Sequence, residues 1–391
     1  MSTQFGWRGS VFCCQFIHKC VIIMYMVKKY TVVDLFAGVG GLSYGFFNNQ
    51  NFEILMANEC DKDTATAYAL NHPTVKVLNC DIREITKEHL RDKSNSKVDI
   101  VVGGPPCQSY STLGKRKNDD RANLFYEFAR IINILQPQIF LFENVIGLLS
   151  MEKGSLFRIV QSQFEQLGYQ LEYKVLNAVH FGVPQVRERV ILVGKKNAVS
   201  FRFPQPTHGE VDNSLNKLLP AVTMGDALGD LSELESGGVS THYKCGSLNH
   251  FQSIMRRNAT QLEEHSAPNN GAHLQKIMKT LQDGQTKDDL PEDIRPKSGY
   301  KNTYAKLWWD RPVPTVTRNF ACVSSSRCIH PRDSRALTTR EGARLQSFPD
   351  TFRFFGSRGK KNLQIGNAVP PLLSIKLAEQ VFVYLKESEC V

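Results

Sequence analysis

The chain has 391 residues, 41% of them apolar and 22% charged, which excludes a fibrous or disordered polymer and is the balance of a soluble globular protein. That length exceeds one ordinary core, so two lobes are expected. The formal net charge of +10 suits a polyanionic partner, although charge alone leaves a solvated basic surface equally open, and the ten cysteines contain no CxxC pair, which speaks against a zinc ribbon or disulfide framework and fits a reducing cytoplasm with no bound metal.

Residues 1–26 include most of an apolar run, Val11 to Val27, interrupted by Gln15, His18 and Lys19. Charge is costly in hydrocarbon and no small-residue cleavage site follows, so neither a membrane span nor a secretory leader is expected. The segment reads as a loosely attached, poorly ordered extension, with Met24 and Met26 just ahead of the first strand. Thr31–Phe36 then reads as a buried strand ending in a glycine turn, Leu42–Phe47 as a helix, and Phe52–Ala57 as a second strand. Asp61–Leu70 reads as a helix with Asp61 as its N-cap, Val75–Leu78 as a third strand and Val98–Gly103 as a fourth. Leu124–Leu135 is helical, Ile139–Phe142 a fifth strand, Leu156–Leu167 helical, and Arg189–Gly194 a late strand. Strands alternating with helices imply an α/β fold with a mainly parallel sheet, whose ligands lie at the carboxyl ends of the strands. This lobe is assigned to 27–195. From Lys196 the chain is richer in Pro, Gly, Asn and Ser and loses periodicity, so 196–357 reads as a second, smaller, irregular domain. Residues 358–391, with a helix over Leu372–Leu385, are expected to return to the first lobe.

Two places on this frame carry chemistry. In Asp34-Leu-Phe-Ala-Gly-Val-Gly-Gly-Leu-Ser43, Gly38, Gly40 and Gly41 let a ligand approach the backbone, and the helix start that follows favours a carboxylate. Glu59 after the second strand is placed to grip ribose hydroxyls, Asp81 after the third to take an adenine amino group, and Phe36 to stack on the ring; Glu59 and Asp81 are equally helix caps, and the glycines a tight turn. The second place is Gly103-Gly-Pro-Pro-Cys-Gln-Ser-Tyr-Ser111, which holds Cys107 at a strand's carboxyl end. A cysteine is usually an inert apolar residue, but this rigid loop beside the glycine turn favours a nucleophile, with Lys115, Arg116 and Lys117 just downstream to favour thiolate and to close over a nucleic-acid backbone.

Five motifs in order, Asp34 to Ser43, Pro105-Pro-Cys-Gln108, Glu143-Asn-Val145, Gln185-Val-Arg-Glu-Arg189 and Gln364-Ile-Gly-Asn-Ala-Val-Pro-Pro371, resemble the C5-cytosine DNA methyltransferase family of prokaryotic restriction-modification type. The resemblance implies a Rossmann-like S-adenosylmethionine-dependent methyltransferase sheet with a second, smaller target-recognition domain. It implies S-adenosylmethionine as methyl donor, double-stranded DNA as substrate, and base flipping to reach the target carbon. By the same resemblance Cys107 adds to C6 of the cytosine, Glu143 handles the proton at N3 and so must carry or share one, and Arg189 holds O2 with Arg187 in the same polar cluster. Without Cys107 nearby, Glu143 and Arg189 would read as an ordinary ion pair. Pro105 and Asn367 are assigned to the cofactor pocket, and Ser109, Lys115, Arg116, Arg318, Ser325 and Arg327 to DNA. Arg202, Ser324, Ser326 and Arg335 are further candidate DNA contacts, because arginine can read guanine and phosphate, although any one of them reads more readily as a surface or structural residue; Arg335 to Pro349 matches the family as the support of the recognition lobe. A transfer-RNA cytosine-5 methyltransferase on the same scaffold, a catalytically inactive DNA-binding module and a nicotinamide dehydrogenase are the alternatives. The large irregular lobe disfavours the first, the intact Cys107, Glu143 and glycine turn the second, and the Pro-Pro-Cys loop the third. A monomer in a prokaryotic cytoplasm, beside a restriction endonuclease acting on the same site without a stable complex, is the expected setting, by analogy.

Overall fold

A computed structural model describes residues 29–90, 97–106, 124–209, 218–297, 299–300 and 302–390. The expected extension over 1–26, and Cys107, Ser109, Lys115 and Arg116, lie outside the described residues. In chain order the first part comprises β1 (Tyr30–Leu35), α1 (Ser43–Phe47), β2 (Phe52–Asn58), α2 (Lys62–Asn71), β3 (Lys76–Leu78), α3 (Lys87–Leu90), β4 (Ile100–Gly103), α4 (Leu124–Leu135), β5 (Ile139–Val145), α5 (Ser155–Glu165), β6 (Gln170–Asn177) and β7 (Glu188–Lys195). The seven strands form one sheet in the order β3-β2-β1-β4-β5-β7-β6. Strands β1 to β5 run parallel, and β7 runs antiparallel to both its neighbours.

The central strands are apolar almost throughout because both faces are covered. Val32, Ile100, Val102, Ile139 and Leu141 point to one side, where Phe46 of α1 packs with them. Their neighbours Val33, Val101, Phe140 and Phe142 point to the other, against Phe128 and Ile132 of α4 and Phe164 of α5. Asp61 caps α2 as expected, accepting from the Thr64 amide at 3.0 Å. Two strand readings change. β5 runs on to Val145, so Glu143 and Asn144 belong to the strand's carboxyl end. β6 is absent from the sequence reading, since Gln170–Asn177 is an edge strand with a single fully buried position, too few to signal itself.

Beyond β7 lie α6 (Met224–Leu228), α7 (His250–Met255), α8 (Ala272–Thr280), α9 (Thr339–Leu345), α10 (Arg358–Asn367) and α11 (Pro371–Ser388). A second apolar cluster, with Met224, Phe251, Ile277, Leu307, Val316, Leu345 and Phe348, reaches back to Val39 in the glycine turn. Its short elements are tied together by buried ion pairs. Arg344 binds Asp230 at 2.8 Å and Asp350 at 2.7 Å, and Arg335 binds Asp333 at 2.7 Å and Glu341 at 2.6 Å. Arg335, a candidate DNA contact, is therefore structural: it is 1% exposed and its charge is spent on two carboxylates. The last helix, α11, buries Leu373, Leu377, Val381 and Leu385 against the sheet's first face, which accounts for its apolar length. There Ser374 accepts from the Gly45 amide at 2.8 Å and donates to the Leu42 carbonyl, so α11 braces α1 directly.

Candidate active site

β1, β4 and β5 lie side by side with Leu35, Gly103 and Phe142 in register. The glycine turn after β1, the loop after β4 and the end of β5 consequently emerge together, beside the point where the strand order reverses.

The turn after β1 has three residues of positive φ: Phe36 at 53°, Gly38 at 56° and Gly40 at 89°. Phe36 thus leaves the strand that was expected to contain it and stands partly buried at the mouth of the turn. A side chain on Gly40 would strike the ring of the buried His72, whereas around Gly38 there is open space. The Gly38 amide donates to Glu59 at 3.0 Å, and the Asp61 amide donates to the other Glu59 oxygen at 2.8 Å. Glu59 is thereby held beside the open turn, and burial raises its carboxyl above the usual range. Behind it Asp34 is fully buried and accepts from Ser43, which in turn accepts from Tyr68 at 2.9 Å. Burial pushes the Asp34 carboxyl up to about 7 against the opposing Ser43 hydrogen bond, and its Oδ1 has no partner. Open space beside the partly buried Glu59 carboxylate fits a nucleoside with its ribose hydroxyls. Asp81 realises the cap geometry: it accepts from the Arg83 amide at 2.9 Å and pairs with that guanidinium at 2.7 Å, leaving its carboxylate a third exposed. Asn367, exposed, ends α10.

The end of β5 supplies the other half. Val145 stands opposite Arg189 in the antiparallel pair with β7, so Glu143 is the diagonal neighbour of Arg189 on one face. Arg189 Nε donates to Glu143 at 2.8 Å, with side-chain exposures of 12% and 13%. The ion pair that the sequence allows as the ordinary reading is thus formed at the site itself. A Cβ on Gly104 would lie 2.8 Å from the second Glu143 oxygen, so the loop leading to residue 107 rests against this carboxylate. Asn144, turned to the other face, donates from Nδ2 to the carbonyl of the buried Pro105 at 3.0 Å and accepts from the Val145 amide at 2.9 Å. Asn144 and Gly104 are positioning residues that sequence reasoning missed, although both lie within motifs it singled out.

Arg187 belongs to the polar cluster of Arg189 and Glu143, as the resemblance implies. It is 1% exposed, and its guanidinium donates to the carbonyls of Val316 at 3.1 Å, Gly366 at 2.8 Å and Ala368 at 2.9 Å. Burial, with Arg189 nearby, lowers its pKa to about 9. It ties the start of β7 to two distant segments. Gln185 works alongside, accepting from the Val316 amide at 3.0 Å and donating to the Leu345 carbonyl at 2.8 Å.

Of the residues expected at DNA, Arg318 and Ser325 are exposed. Ser325 and Arg327 line a cleft of about 350 Å³ with Thr315 and Thr317. Arg327 donates to the carbonyls of Gly284 and Lys306 at 2.9 and 2.6 Å and lies over the Trp308 ring at 4.5 Å, which makes it largely a brace for that cleft. Arg202 pairs with Glu387 of α11 at 2.6 Å. Among the described residues, His330, Asp333 and Glu341 have atoms within 4.8 Å of one another at metal-ligand spacing, but the Arg335 guanidinium already occupies the cation's place between the two carboxylates.

An open α/β sheet with a glycine turn, an acidic residue after the next strand and a carboxylate–guanidinium pair on the adjoining strands has the architecture of a Rossmann-like enzyme with room for a nucleoside cofactor. Residues 30–383 match the family described as C-5 cytosine-specific DNA methylase. The chain is 35% identical to the type II methyltransferase M1.HphI of Haemophilus parahaemolyticus over 97% of its length and 94% of the relative's, and 34% identical to the type II methyltransferase M.DdeI of Desulfomicrobium norvegicum over 91% and 89%. A solved DNA modification methyltransferase encoded within a prophage of E. coli superposes with a TM-score of 0.74 at 25% identity, covering 92% of this chain and all of the other. The chain belongs to the C-5 cytosine-specific DNA methylase family: it is a DNA (cytosine-5) methyltransferase, of the family that takes its methyl group from S-adenosylmethionine.

Proposed function

We propose that the enzyme methylates C5 of a cytosine swung out of a specific duplex sequence, through a covalent bond between Cys107 and C6. The observation that supports this most is the Glu143–Arg189 pair set against Gly104, three residues before Cys107. Bound S-adenosylmethionine supplies an electrophilic methyl group; Phe36, the turn from Gly38 to Gly41, Glu59, Asp81, Pro105 and Asn367 are the residues that would hold it. Addition of the Cys107 thiolate to C6 moves electron density toward N3 and C5. Glu143 gives or shares a proton at N3, and Arg189, already bonded to that carboxylate, steadies it and the base's O2. After C5 has gained its methyl group it loses its proton, and the thiolate leaves as C5–C6 unsaturation is restored. Asn144 and Gly104 set the loop's height above Glu143, and Arg187 keeps β7 in place.

In this reading 27–195 is the catalytic domain, 196–357 carries sequence recognition, and 358–391 completes the catalytic core, with Arg318, Ser325 and Arg327 on the DNA side together with Ser109, Lys115 and Arg116. The biological role would be protection of host DNA in the cytoplasm against an endonuclease of the same specificity, by a monomer. The test is incubation with S-adenosylmethionine and an oligonucleotide carrying 5-fluorocytosine at the target position. A denaturation-resistant adduct is expected, and none with Cys107→Ser. Turnover on ordinary DNA without any adduct on the fluorinated strand would overturn the covalent route.

A further inference from the structure

The strap over 313–318 is fastened through Val313, Thr315 and Val316 to residues 184–187, which lead into β7. Val313 donates to the Pro184 carbonyl at 2.9 Å and accepts from the Val186 amide at 2.8 Å. Thr315 Oγ1 donates to the Val186 carbonyl at 2.8 Å, and the Val316 amide and carbonyl engage Gln185 and Arg187. At its end the backbone of Thr317 and Arg318 presses on Gly366 so closely that no side chain fits there. Arg318 is therefore rooted between the cofactor-side residue Asn367 and the strand that presents Arg189 to Glu143. Its own side chain is exposed and makes no hydrogen bond or ion pair among the described residues. The contrast with its neighbours is sharp. Arg327 is spent on carbonyls and a tryptophan face, Arg335 and Arg344 on buried carboxylates, and Arg187 on three carbonyls. A free guanidinium on an immobile root at the rim of a site for a flipped base matches a phosphate in charge and in fork geometry.

We infer that Arg318 binds the DNA phosphate beside the target nucleotide, anchoring the backbone while the base is turned into the site. The inference rests on the proposed function. A phosphate contact carries no sequence information, so its loss weakens all sequences alike and removes one counterion's worth of salt dependence. The experiment measures duplex binding by the whole protein, with S-adenosylhomocysteine present, across a salt series, on the target sequence and on an unrelated duplex. Arg318→Gln is expected to bind both roughly tenfold more weakly, with the slope of log affinity against log salt reduced by about one. Arg318→Lys, which keeps the charge, is expected to restore the slope. Cofactor affinity and melting temperature should stay at their wild-type values, since Arg318 supports nothing. An unchanged slope in Arg318→Gln, or a loss confined to the target sequence, overturns the inference, and so does a fall in melting temperature. Failure of the wild-type protein to methylate duplex DNA would instead overturn the reading on which the inference rests.

Discussion

Replacing Gly104 by alanine sets a methyl group against the carboxylate of Glu143. The new Cβ would stand 2.8 Å from one carboxylate oxygen, 3.5 Å from the Glu143 carbonyl oxygen and 3.9 Å from its Cβ. Only the first contact is too close, and it is with the end of a side chain, so the carboxylate must retreat by about half an ångström to reach an ordinary van der Waals distance. Its other oxygen holds Arg189 at 2.8 Å, so the retreat pulls both groups away from where N3 and O2 of the base would sit. The folding penalty should be small, below about 2 kcal/mol, because no backbone has to move. Catalysis should fall far more, by about a hundredfold in kcat, the scale of displacing a positioned proton donor by a fraction of an ångström to an ångström. Single-turnover methyl transfer with labelled S-adenosylmethionine reads the first quantity, and urea unfolding the second. A Gly104→Ala enzyme with kcat within threefold of wild type would refute the proposed role of this contact, and so would a loss of stability large enough to explain the loss of rate.

Glu59→Gln should weaken S-adenosylmethionine binding by tenfold or more in calorimetry, because the amide cannot accept both the Gly38 and Asp61 amides and still face ribose hydroxyls; unaltered affinity would remove Glu59 from the pocket. Arg344→Met should cost about 3–5 kcal/mol by urea unfolding, since Asp230 and Asp350 are left buried and uncompensated, and a cost under 1 kcal/mol would contradict the ion-pair account of this region. Asp34 predicts a pH effect. Its carboxyl is raised to about 7 in the folded protein, so the native state keeps a proton that the unfolded chain releases near 4. Its contribution therefore favours folding at low pH and is lost as pH rises from about 4 to about 7. Relative to Asp34→Asn, the wild type should lose a few kcal/mol across that window, and a constant difference between the two would refute it.

The parallel core was legible because buried strands such as β1, β4 and β5 are nearly continuous apolar runs, and Leu124–Leu135 is read to the residue because one face alone is apolar. The antiparallel edge was not, since β6 alternates weakly and faces solvent. In the site, the pairing of Glu143 with Arg189 was legible, while the contacts of Asn144 and Gly104 were not. Each acts through a contact between strands adjacent in space and 39 residues apart in sequence, which no local pattern records. The partners of Arg187 and Arg335 were not legible, for a common reason. An arginine's type announces a charge but not whether that charge is already matched, and both are buried among partners more than a hundred residues away or on the adjoining turn. The region after residue 218 folds around such pairs instead of repeating apolar positions, which is why its periodicity is faint.

The grip of Ser374 on the start of α1 has a bearing on how the enzyme comes into being. Leu42 and Gly45 leave the ribosome more than three hundred residues ahead of the serine that clamps them. A nascent chain, or one cut short before α11, would hold its cofactor turn on a five-residue helix that packs on the sheet through Phe46 but lacks the clamp on Leu42 and Gly45. Such products should hold the cofactor turn less firmly than the finished chain does.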